Sequence, residues 1–406
     1  MTCSTIRLTR KKSRYQGVWD FASFKDLFGI DDAYFTPEFI ELNKAANMMK
    51  AGCVFADRIS TVSPTYAEEI RTPEYSEGLE GILNARSAQL NGILNGIDID
   101  VFNPAKNSAL AENYSKNDLS KKAECKKSLQ QKLGLNVDDS VPILSMVTRM
   151  TEQKGFELVM TILDDLMQKE NVQFVLLGSG DSRYESFMRE AEQRWKGRLC
   201  AYIGYNEDLA HHVYSGSDYF LMPSRFEPCG LGQMIAMRYG ALPIVRETGG
   251  LKDSVTPYNC ETGEGNGFSF ANINAHEFLY VTKYACDLYR NQKDVWDYLV
   301  KAGMNGDYSW RKSAREYIGL YSLITGIPYE DKEEKKEEPK VEVKAEVKAE
   351  AKAEPVKKPA AKKTPAKKTP AKKVAAKKET AAKKPAAKKT ASKASASTKK
   401  SKDSSK

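Results

Sequence analysis

The sequence is poor in histidine and has no closely spaced cysteines. Among its 406 residues are three histidines, His211, His212 and His276, and seven cysteines scattered between positions 3 and 286. Zinc sites and disulfide frameworks need such residues at short, regular spacings. The pattern therefore excludes both, predicts no metal site, and favours a reducing compartment.

Long apolar runs are also missing. No segment approaches the roughly 20 residues that a transmembrane helix needs, and the N-terminus lacks the apolar core of a secretory signal. Residues 1–14 hold five basic and no acidic side chains, a composition loosely like that of an organelle transit peptide. We expect a soluble cytoplasmic protein without membrane contact, with a plastid location as the alternative.

The C-terminal residues have almost no aromatic or branched apolar side chains. Residues 331–406 carry 26 lysines and 11 acidic residues, so of the chain's net charge of +9 this tail contributes +15 and the rest −6. Such a segment cannot offset the entropy cost of ordering, and we expect a disordered basic tail. Lysine repeats bind polyanions in a salt-dependent way. Contact with nucleic acid or another polyanion and a purely solubilising role both stay open.

Residues 141–270 alternate apolar, strand-like runs with helical patterns. The predicted strands are Pro142–Val147, Val172–Leu177, Leu199–Ile203, Tyr219–Met222 and Leu242–Val245. Repeated βα units form a parallel sheet with helices on both faces, and ligands bind beyond the carboxyl ends of its strands. Helices are predicted at 67–70, 277–289 and 313–323, and a polar linker at 106–127.

The segment Pro223-Ser-Arg-Phe-Glu-Pro-Cys-Gly-Leu231 places a carboxylate, Glu227, between a predicted strand and a helix that opens at Gly230. A helix N-terminus at the carboxyl end of a parallel strand offers free N–H groups and a positive dipole end, which suit a phosphate or a sugar hydroxyl. On this segment alone, a plain strand-turn-helix corner with a solvated glutamate is the alternative.

Two cations follow an earlier predicted strand. Arg149 and Lys154 are five residues apart, and both can face one pyrophosphate, because arginine offers a bidentate fork and lysine a compact charge. A solvated basic pair is the alternative interpretation when the spacing stands by itself.

Several segments resemble the bacterial glycogen synthase and plant starch synthase family of retaining glycosyltransferases. They are Ala56–Ile70, Gly92–Asp98, Thr148–Gly155, and Pro223–Gly230 with Thr248–Leu251, and the resemblance covers residues 14–326. It implies an α/β fold of the GT-B type with two Rossmann-like domains. The first, acceptor-side domain would span residues 1–130 and be incomplete, the nucleotide-sugar-binding domain 131–328, and the tail 329–406.

The resemblance also implies an activity and a set of site residues. Glucose would pass from ADP-glucose to the non-reducing end of an α-1,4-glucan such as glycogen or starch, with no cofactor besides the donor. The implied catalytic residues are Glu227, Arg149 and Lys154. The implied nucleotide-sugar-binding residues are Asn95, Tyr205, Cys229, Gly230, Leu231, Gly249 and Gly250. Cys229 is given no nucleophilic role.

The sequence departs from the family's pattern at several positions. Ile235 stands where the broader superfamily often has a second glutamate, and Gly232 stands where the family usually has threonine. The family's Lys-x-Gly-Gly-Leu loop is absent, and no histidine precedes His211. Two alternatives to a self-sufficient enzyme therefore stay open: an inactive glucan-binding, nucleotide-binding or regulatory module, and a split enzyme with a separate N-terminal half chain. An incomplete first domain predicts exposed apolar surface on residues 14–125.

Overall fold

The structure is a computed structural model that describes residues 5–8 and 16–329. The tail predicted to be disordered and to contact polyanions, from residue 330 onward, lies outside the described residues, as do residues 9–15. Within the described part, no helix combines the length and apolar character that crossing a bilayer requires.

The N-terminal part contains two small sheets. The parallel one has the order β1-β5-β6, with β1 at Thr5–Leu8, β5 at Arg58–Thr61 and β6 at Leu90–Gly92. The antiparallel one has the order β2-β4-β3, with β2 at Val18–Trp19, β3 at Glu41–Leu42 and β4 at Ala45–Asn47. The helices here are α1 (Phe21–Phe28), α2 (Met48–Phe55), α3 (Pro64–Glu69) and α4 (Glu80–Ala85).

Helix α3 begins before the predicted start at Ala67. The hydroxyl of Ser63 accepts a hydrogen bond from the backbone N–H of Tyr66 at 2.8 Å, and Pro64 occupies the first turn. Serine at the N-cap followed by proline is a strong signal for a helix start. The serine hydroxyl accepts a hydrogen bond from an N–H of the first turn, and proline lacks the N–H that would have no partner there. The predicted start was therefore wrong, although the sequence carried the signal.

A second, larger sheet lies in the C-terminal part. Its six parallel strands have the order β12-β11-β10-β7-β8-β9. The bounds are β7 Ile143–Val147, β8 Gln173–Gly178, β9 Leu199–Ile203, β10 Tyr219–Met222, β11 Leu242–Arg246 and β12 Phe268–Phe270. All five predicted strands are confirmed to within one residue at each end. Strand β12 was missed because so short a run has no readable alternation.

Helices cover this sheet and follow it. They are α5 Lys122–Lys132, α6 Phe156–Lys169, α7 Ser182–Arg194, α8 Glu207–Gly216, α9 Gly232–Arg238, α10 Gly249–Ser254, α11 Ala275–Asn291, α12 Lys293–Asn305 and α13 Trp310–Thr325. The helices predicted at 277–289 and 313–323 are confirmed. The linker predicted at 106–127 ends early, because helix α5 begins at Lys122. Burial of Cys125 stabilises this helix. The domain boundary at residue 130 stays a prediction.

Apolar packing joins the two parallel sheets. One cluster of buried side chains contains Ile59 and Tyr66 from the first part together with Phe220, Met234 and Leu251 from the second. We call this cluster the shared core. Burial of each such aliphatic or aromatic side chain contributes about 1.5–3 kcal/mol, so the shared core is a strong connection between the two sheets.

The last helix returns to the first part of the chain. The hydroxyl of Ser313 donates to the carbonyl of Leu94 at 2.5 Å, and the N–H of Ile97 donates to the carbonyl of Tyr308 at 2.8 Å. A Cβ at Gly96 would overlap the backbone of Trp310. Glycine at this position therefore lets the start of α13 lie directly on the segment after β6.

Exposed apolar side chains are present in the first part. Val18 and Leu27 are each 60% exposed and Phe55 is 54% exposed. Val18 lies in β2, Leu27 in α1 and Phe55 at the end of α2. Side chains of this kind in one region form a surface that water solvates poorly.

Candidate active site

The order of the second sheet reverses between two neighbouring strands, β7 and β10. Strands β8 and β9 lie on one side of this pair, and β11 and β12 lie on the other. In open parallel sheets, ligands bind outside the carboxyl ends of the strands at such a switch point. The segment 148–155 leaves β7 and the segment 223–231 leaves β10, so two segments predicted to be catalytic meet there.

At this point the structure pairs Lys154 with Glu227. The ammonium Nζ of Lys154 lies 2.5 Å from Oε2 of Glu227, and these side chains are only 16% and 10% exposed. The hydroxyl of Ser224 donates to the same oxygen at 3.1 Å. A charge this far out of water needs a partner, because an unpaired buried ion costs several kcal/mol.

Lys154 still has donors to offer. A lysine ammonium carries three N–H donors, and among the described residues Glu227 is the one hydrogen-bonding or ionic partner of the Lys154 ammonium. A small cavity of about 170 Å³ opens beside the pair, lined among others by Thr148, Gly230 and Leu231. The remaining donors of Lys154 are therefore placed where a ligand can reach them.

Glycine makes the close approach of the two segments possible. Gly155 has φ +74°, in the left-handed region that favours glycine. A Cβ at this position would also overlap the carbonyl oxygen of Pro223. Replacing Gly155 would thus push the turn that ends at Lys154 away from the Glu227 segment.

A buried arginine holds the backbone of the Glu227 segment through hydrogen bonds. Arg246, at the end of β11, is 6% exposed, and its guanidinium donates to the carbonyl of Ser224 at 2.9 Å and to that of Arg225 at 2.5 Å. The sequence interpretation missed both Arg246 and Ser224. The sequence did contain a signal for Arg246, because this arginine ends an otherwise apolar strand. A cation buried in such a strand needs hydrogen-bond acceptors at fixed positions.

The other predicted residues of this segment lie beside the pair. Cys229 is buried, Gly230 adopts φ +70°, and Leu231 is 44% exposed. Helix α9 begins at Gly232, two residues after the predicted opening at Gly230, and within the described chain no side chain caps its N-terminus. Its first N–H groups are therefore not occupied by a capping side chain.

Gly249 and Gly250 lie behind the Glu227 segment rather than beside the cavity. The N–H of Gly250 donates to the carbonyl of Glu227 at 3.1 Å, and the N–H of Gly249 donates to Oε1 of Glu69 at 2.9 Å. A Cβ at Gly249 would overlap the carbonyl oxygen of Glu227. Both glycines thus pack backbone against backbone, and their N–H groups are engaged within the protein.

Three further predicted residues lie outside the cavity lining. Arg149 is exposed and forms no ion pair with the described residues. Tyr205 is 81% exposed. Asn95 lines a separate cavity of about 180 Å³ together with Asp253 and Ser309. The structure therefore groups Lys154, Glu227, Gly230 and Leu231 and leaves these three at its periphery or beyond it.

A larger cavity, of about 680 Å³, lies at the opposite end of the second sheet. It is lined by residues that precede the strands, such as Asp218, and by Lys122, Lys126, Tyr289 and Trp296. Its buried lysines use all three donors on protein acceptors. Lys122 donates to the carbonyls of Ser215, Ser217 and Tyr239, and Lys126 bonds Asp218, the carbonyl of Asp139 and the hydroxyl of Tyr289. Size alone therefore does not identify the site.

Side chains that commonly bind metals are not gathered here. In the parts of the chain that the structure covers, no group of three histidine, cysteine, aspartate or glutamate side chains is arranged to hold a metal ion. The expectation of no metal site stays a prediction.

Comparisons with known proteins agree with the geometry. The profile of the starch synthase catalytic domain matches residues 12–85, and that of glycosyl transferases group 1 matches residues 127–285. The glycogen synthase of Lachnospira eligens is 48% identical over 318 residues, which cover 78% of this chain and 66% of that protein. The glycogen synthase of Clostridium novyi is 50% identical over 311 residues, 77% of this chain and 64% of that protein.

A solved structure shows the same relation. The catalytic domain of starch synthase IV from Arabidopsis thaliana, bound to ADP and acarbose, superposes with a TM-score of 0.71 at 36% identity, covering 80% of this chain and 67% of that one. This chain spans just under two thirds of the length of the curated relatives it matches, 64–66%. The superposition and the parallel second sheet confirm the predicted GT-B fold. The chain belongs to the glycogen synthase and starch synthase family of glycosyltransferases.

Proposed function

We propose that this chain is a retaining glucosyltransferase that moves glucose from ADP-glucose to the non-reducing end of an α-1,4-glucan such as glycogen or starch. The observation that carries the proposal is the buried pair of Lys154 and Glu227 at the switch point, with ammonium donors to spare. The glycogen synthases among its relatives and the ADP in the starch synthase IV structure support the choice of substrates.

The charges of the pair complement those of the reaction. The bond between the anomeric carbon and the diphosphate oxygen breaks with its electrons going to the oxygen, and an acceptor hydroxyl oxygen bonds to the same carbon and releases its proton. Negative charge grows on the diphosphate and positive character on the sugar. Lys154 would stabilise the first, and Glu227 would hold sugar hydroxyls and stabilise the second.

Arg149 would supply a second cation to the diphosphate. It is exposed and free of ion pairs with the described residues, so turning toward a phosphate costs it no existing interaction. A guanidinium also binds two phosphate oxygens at once. The proposed division of labour is a buried, prepositioned lysine and an arginine that joins when the donor binds.

The remaining predicted residues would hold the donor's other groups. The N–H groups of Gly230 and Leu231, near the uncapped start of α9, suit a sugar hydroxyl or the distal phosphate. Tyr205, with 81% of its surface exposed, would stack on the base. Asn95 would face the acceptor side of the cleft, and Gly249 and Gly250 would act by shaping the loop that backs Glu227.

A second candidate function is a glucan- or nucleotide-binding module that works with another chain carrying the family's N-terminal half. The exposed Val18, Leu27 and Phe55 favour it. A cytoplasmic location and binding of polyanions by the basic tail remain proposals alongside both functions.

The test is transfer of radiolabelled glucose from ADP-glucose to glycogen by the full chain and by Glu227→Gln. The glutamine keeps the shape of the side chain and removes its charge. Glu190→Gln, on the exposed face of α7, is the matched control. We expect transfer by the wild-type chain and by the control, and a loss of about 10²–10³-fold in Glu227→Gln, the usual cost of one preorganised electrostatic group.

Two outcomes would decide otherwise. Equal transfer by all three proteins would remove Glu227 from the chemistry. No transfer by the folded wild-type chain, together with measurable binding of ADP or glycogen, would favour the binding module, and recovery of transfer on adding an N-terminal half from a relative would favour a split enzyme.

A further inference from the structure

Two short helices from distant parts of the chain lie side by side. Helix α3 (Pro64–Glu69) belongs to the first part and α10 (Gly249–Ser254) to the second. Tyr66 and Leu251 from these helices are both fully buried in the shared core. Polar contacts at both ends of the helix pair add to this apolar packing.

At one end, Glu69 bonds the N-terminus of α10. Its Oε1 accepts from the hydroxyl of Thr248 at 2.7 Å and from the N–H of Gly249 at 2.9 Å. A carboxylate at a helix start satisfies N–H groups that have no partner inside the helix and meets the positive end of the helix dipole. Glu69 therefore caps a helix that is 179 residues away in sequence.

At the other end, Asp253 bonds the N-terminus of α3. Its Oδ2 accepts from the hydroxyl of Ser63 at 2.6 Å and from the N–H of Thr65 at 3.0 Å, and its Oδ1 accepts from the hydroxyl of Thr65 at 2.6 Å. Each helix thus supplies the acid that the other helix needs at its start. We call the contacts of Glu69 and Asp253 the reciprocal caps.

The reciprocal caps reach Glu227 through the backbone. Thr248 and Gly249, held by Glu69, are followed by Gly250, whose N–H donates to the carbonyl of Glu227 at 3.1 Å. Gly249 also packs against that carbonyl closely enough to exclude a Cβ. Two hydrogen-bonded steps therefore separate Glu69 in the first part from the backbone of Glu227 in the second.

We propose that Glu69 is a positioning residue for Glu227. It fixes the start of α10, residues 248–250, against the Glu227 backbone, and through this contact the first part of the chain holds the carboxylate in position beside Lys154. This inference rests on the proposed function, and it adds a residue that touches neither donor nor acceptor.

The surroundings of Glu69 indicate which atoms matter. Burial raises the pKa of its carboxyl, which the hydrogen bonds from Thr248 and Gly249 and the charge of Arg246 oppose, while Asp253 adds to the rise. Its Oε2 is buried and has no hydrogen-bond partner among the described residues. The positioning therefore depends on Oε1 as an acceptor, which glutamine also provides.

The experiment compares Glu69→Ala, Glu69→Gln and the control Glu68→Ala in the full chain. Glu68 is the preceding residue, and its side chain is 74% exposed and pairs with Arg71. Two quantities are measured: kcat and KM for ADP-glucose, and amide hydrogen exchange in peptides covering 223–231 and 246–254.

Glu69→Ala should lower kcat about tenfold with little change in KM, because a small misplacement of a catalytic group costs up to about 100-fold. Exchange should become faster in both peptides. Glu69→Gln should restore most of kcat and the wild-type exchange, and Glu68→Ala should match the wild type throughout. A purely structural role would instead lower the folded fraction and leave kcat per folded molecule unchanged.

Exchange in 223–231 that is the same in Glu69→Ala as in Glu68→Ala would overturn the proposal, as would a kcat that glutamine does not restore. If the wild-type chain shows no transfer, the proposed function fails separately. The exchange rates then decide by themselves whether Glu69 holds the Glu227 segment.

Discussion

Both ends of the second sheet hold a buried lysine paired with an acid, and the two pairs differ in how many donors the protein uses. At the amino end, Lys126 lies 2.9 Å from Asp218 and spends its other donors on Asp139 and Tyr289. At the carboxyl end, Lys154 bonds only Glu227 among the described residues. The same chemical pair is closed at one end and open to a ligand at the other.

We therefore place the proposed site by unused hydrogen-bonding capacity rather than by cavity volume. The amino-end cavity measures about 680 Å³ and the carboxyl-end cavity about 170 Å³. Every lysine donor that is buried in the larger cavity already has an acceptor, so a ligand there would have to displace protein contacts. We expect substitutions at the amino end to change stability and those at the carboxyl end to change activity.

The largest expected effect is that of Lys154→Ala. Removing the prepositioned cation should lower kcat/KM for ADP-glucose about 10²–10³-fold. The thermal unfolding midpoint should fall less than on loss of Lys126, because Ser224 still donates to Glu227 and the neighbouring cavity lets water reach the carboxylate. Transfer assays and thermal unfolding of the same samples measure both, with the 59% exposed Lys169 changed to alanine as the control. A midpoint that falls in proportion to the activity would erase the contrast between the two ends.

Lys126→Met should lower stability and leave activity unchanged. It leaves Asp218, 5% exposed, without its ionic partner, which we expect to lower the free energy of unfolding by about 3 kcal/mol. Urea denaturation measures the loss, and activity per folded molecule should stay at the wild-type level. Lys121→Met, at a neighbouring lysine that is 51% exposed, is the control, and an equal loss there would contradict the prediction.

A pH dependence sharpens the comparison further. Burial lowers the pKa of Lys122 from 10.5 to about 8, so between these values the unfolded chain binds more protons than the native one. This group's contribution to the free energy of unfolding therefore increases as pH rises from about 8 to about 10.5. We expect the difference in unfolding free energy between the wild type and Lys122→Met to grow by about 2 kcal/mol over that interval. Urea denaturation at both ends of the interval tests this, and a constant difference would contradict it.

The smallest expected effect is that of Arg149→Ala. Because Arg149 is exposed and has no ion pair with the described residues, its loss should leave the unfolding free energy unchanged. Losing one charge-assisted contact to the diphosphate should weaken ADP binding about tenfold at low salt and less at high salt. Titration calorimetry at two ionic strengths measures this. Arg183→Ala, at an exposed arginine paired with Glu157, should bind ADP like the wild type.

The sequence predicted the strands of the second sheet and named Lys154 and Glu227 separately, but it did not predict that these two side chains pair. Its strands are nearly continuous apolar runs, which is what burial on both faces requires, and Glu227 and Lys154 directly follow two of them. Their proximity depends on β7 and β10 being neighbours, and the sequence does not predict that strand order. The short antiparallel strands β2 to β4 and the three-residue β12 carry too few side chains for a pattern.

The sequence did not predict contacts between residues that are far apart in the chain. Glu69 and Asp253 both lie in or directly beside segments that resemble the family, yet nothing local indicates that each caps the other's helix. Gly249 and Gly250 read equally well as phosphate-binding and as packing glycines, and only the position of the Glu227 carbonyl distinguishes them. Such contacts depend on how two sheets dock, which local propensity does not determine.

The shared core has a consequence for proteolysis. Residues 116–118 are exposed in the segment between the two sheets, so a protease that recognises lysine has access to Lys116. Parting the fragments after the cut would bring Ile59, Tyr66 and Leu251 into water. Apart from cuts within the lysine-rich tail, the nicked chain should therefore migrate as two pieces in denaturing gels and as one particle in solution, and it should unfold in a single cooperative transition.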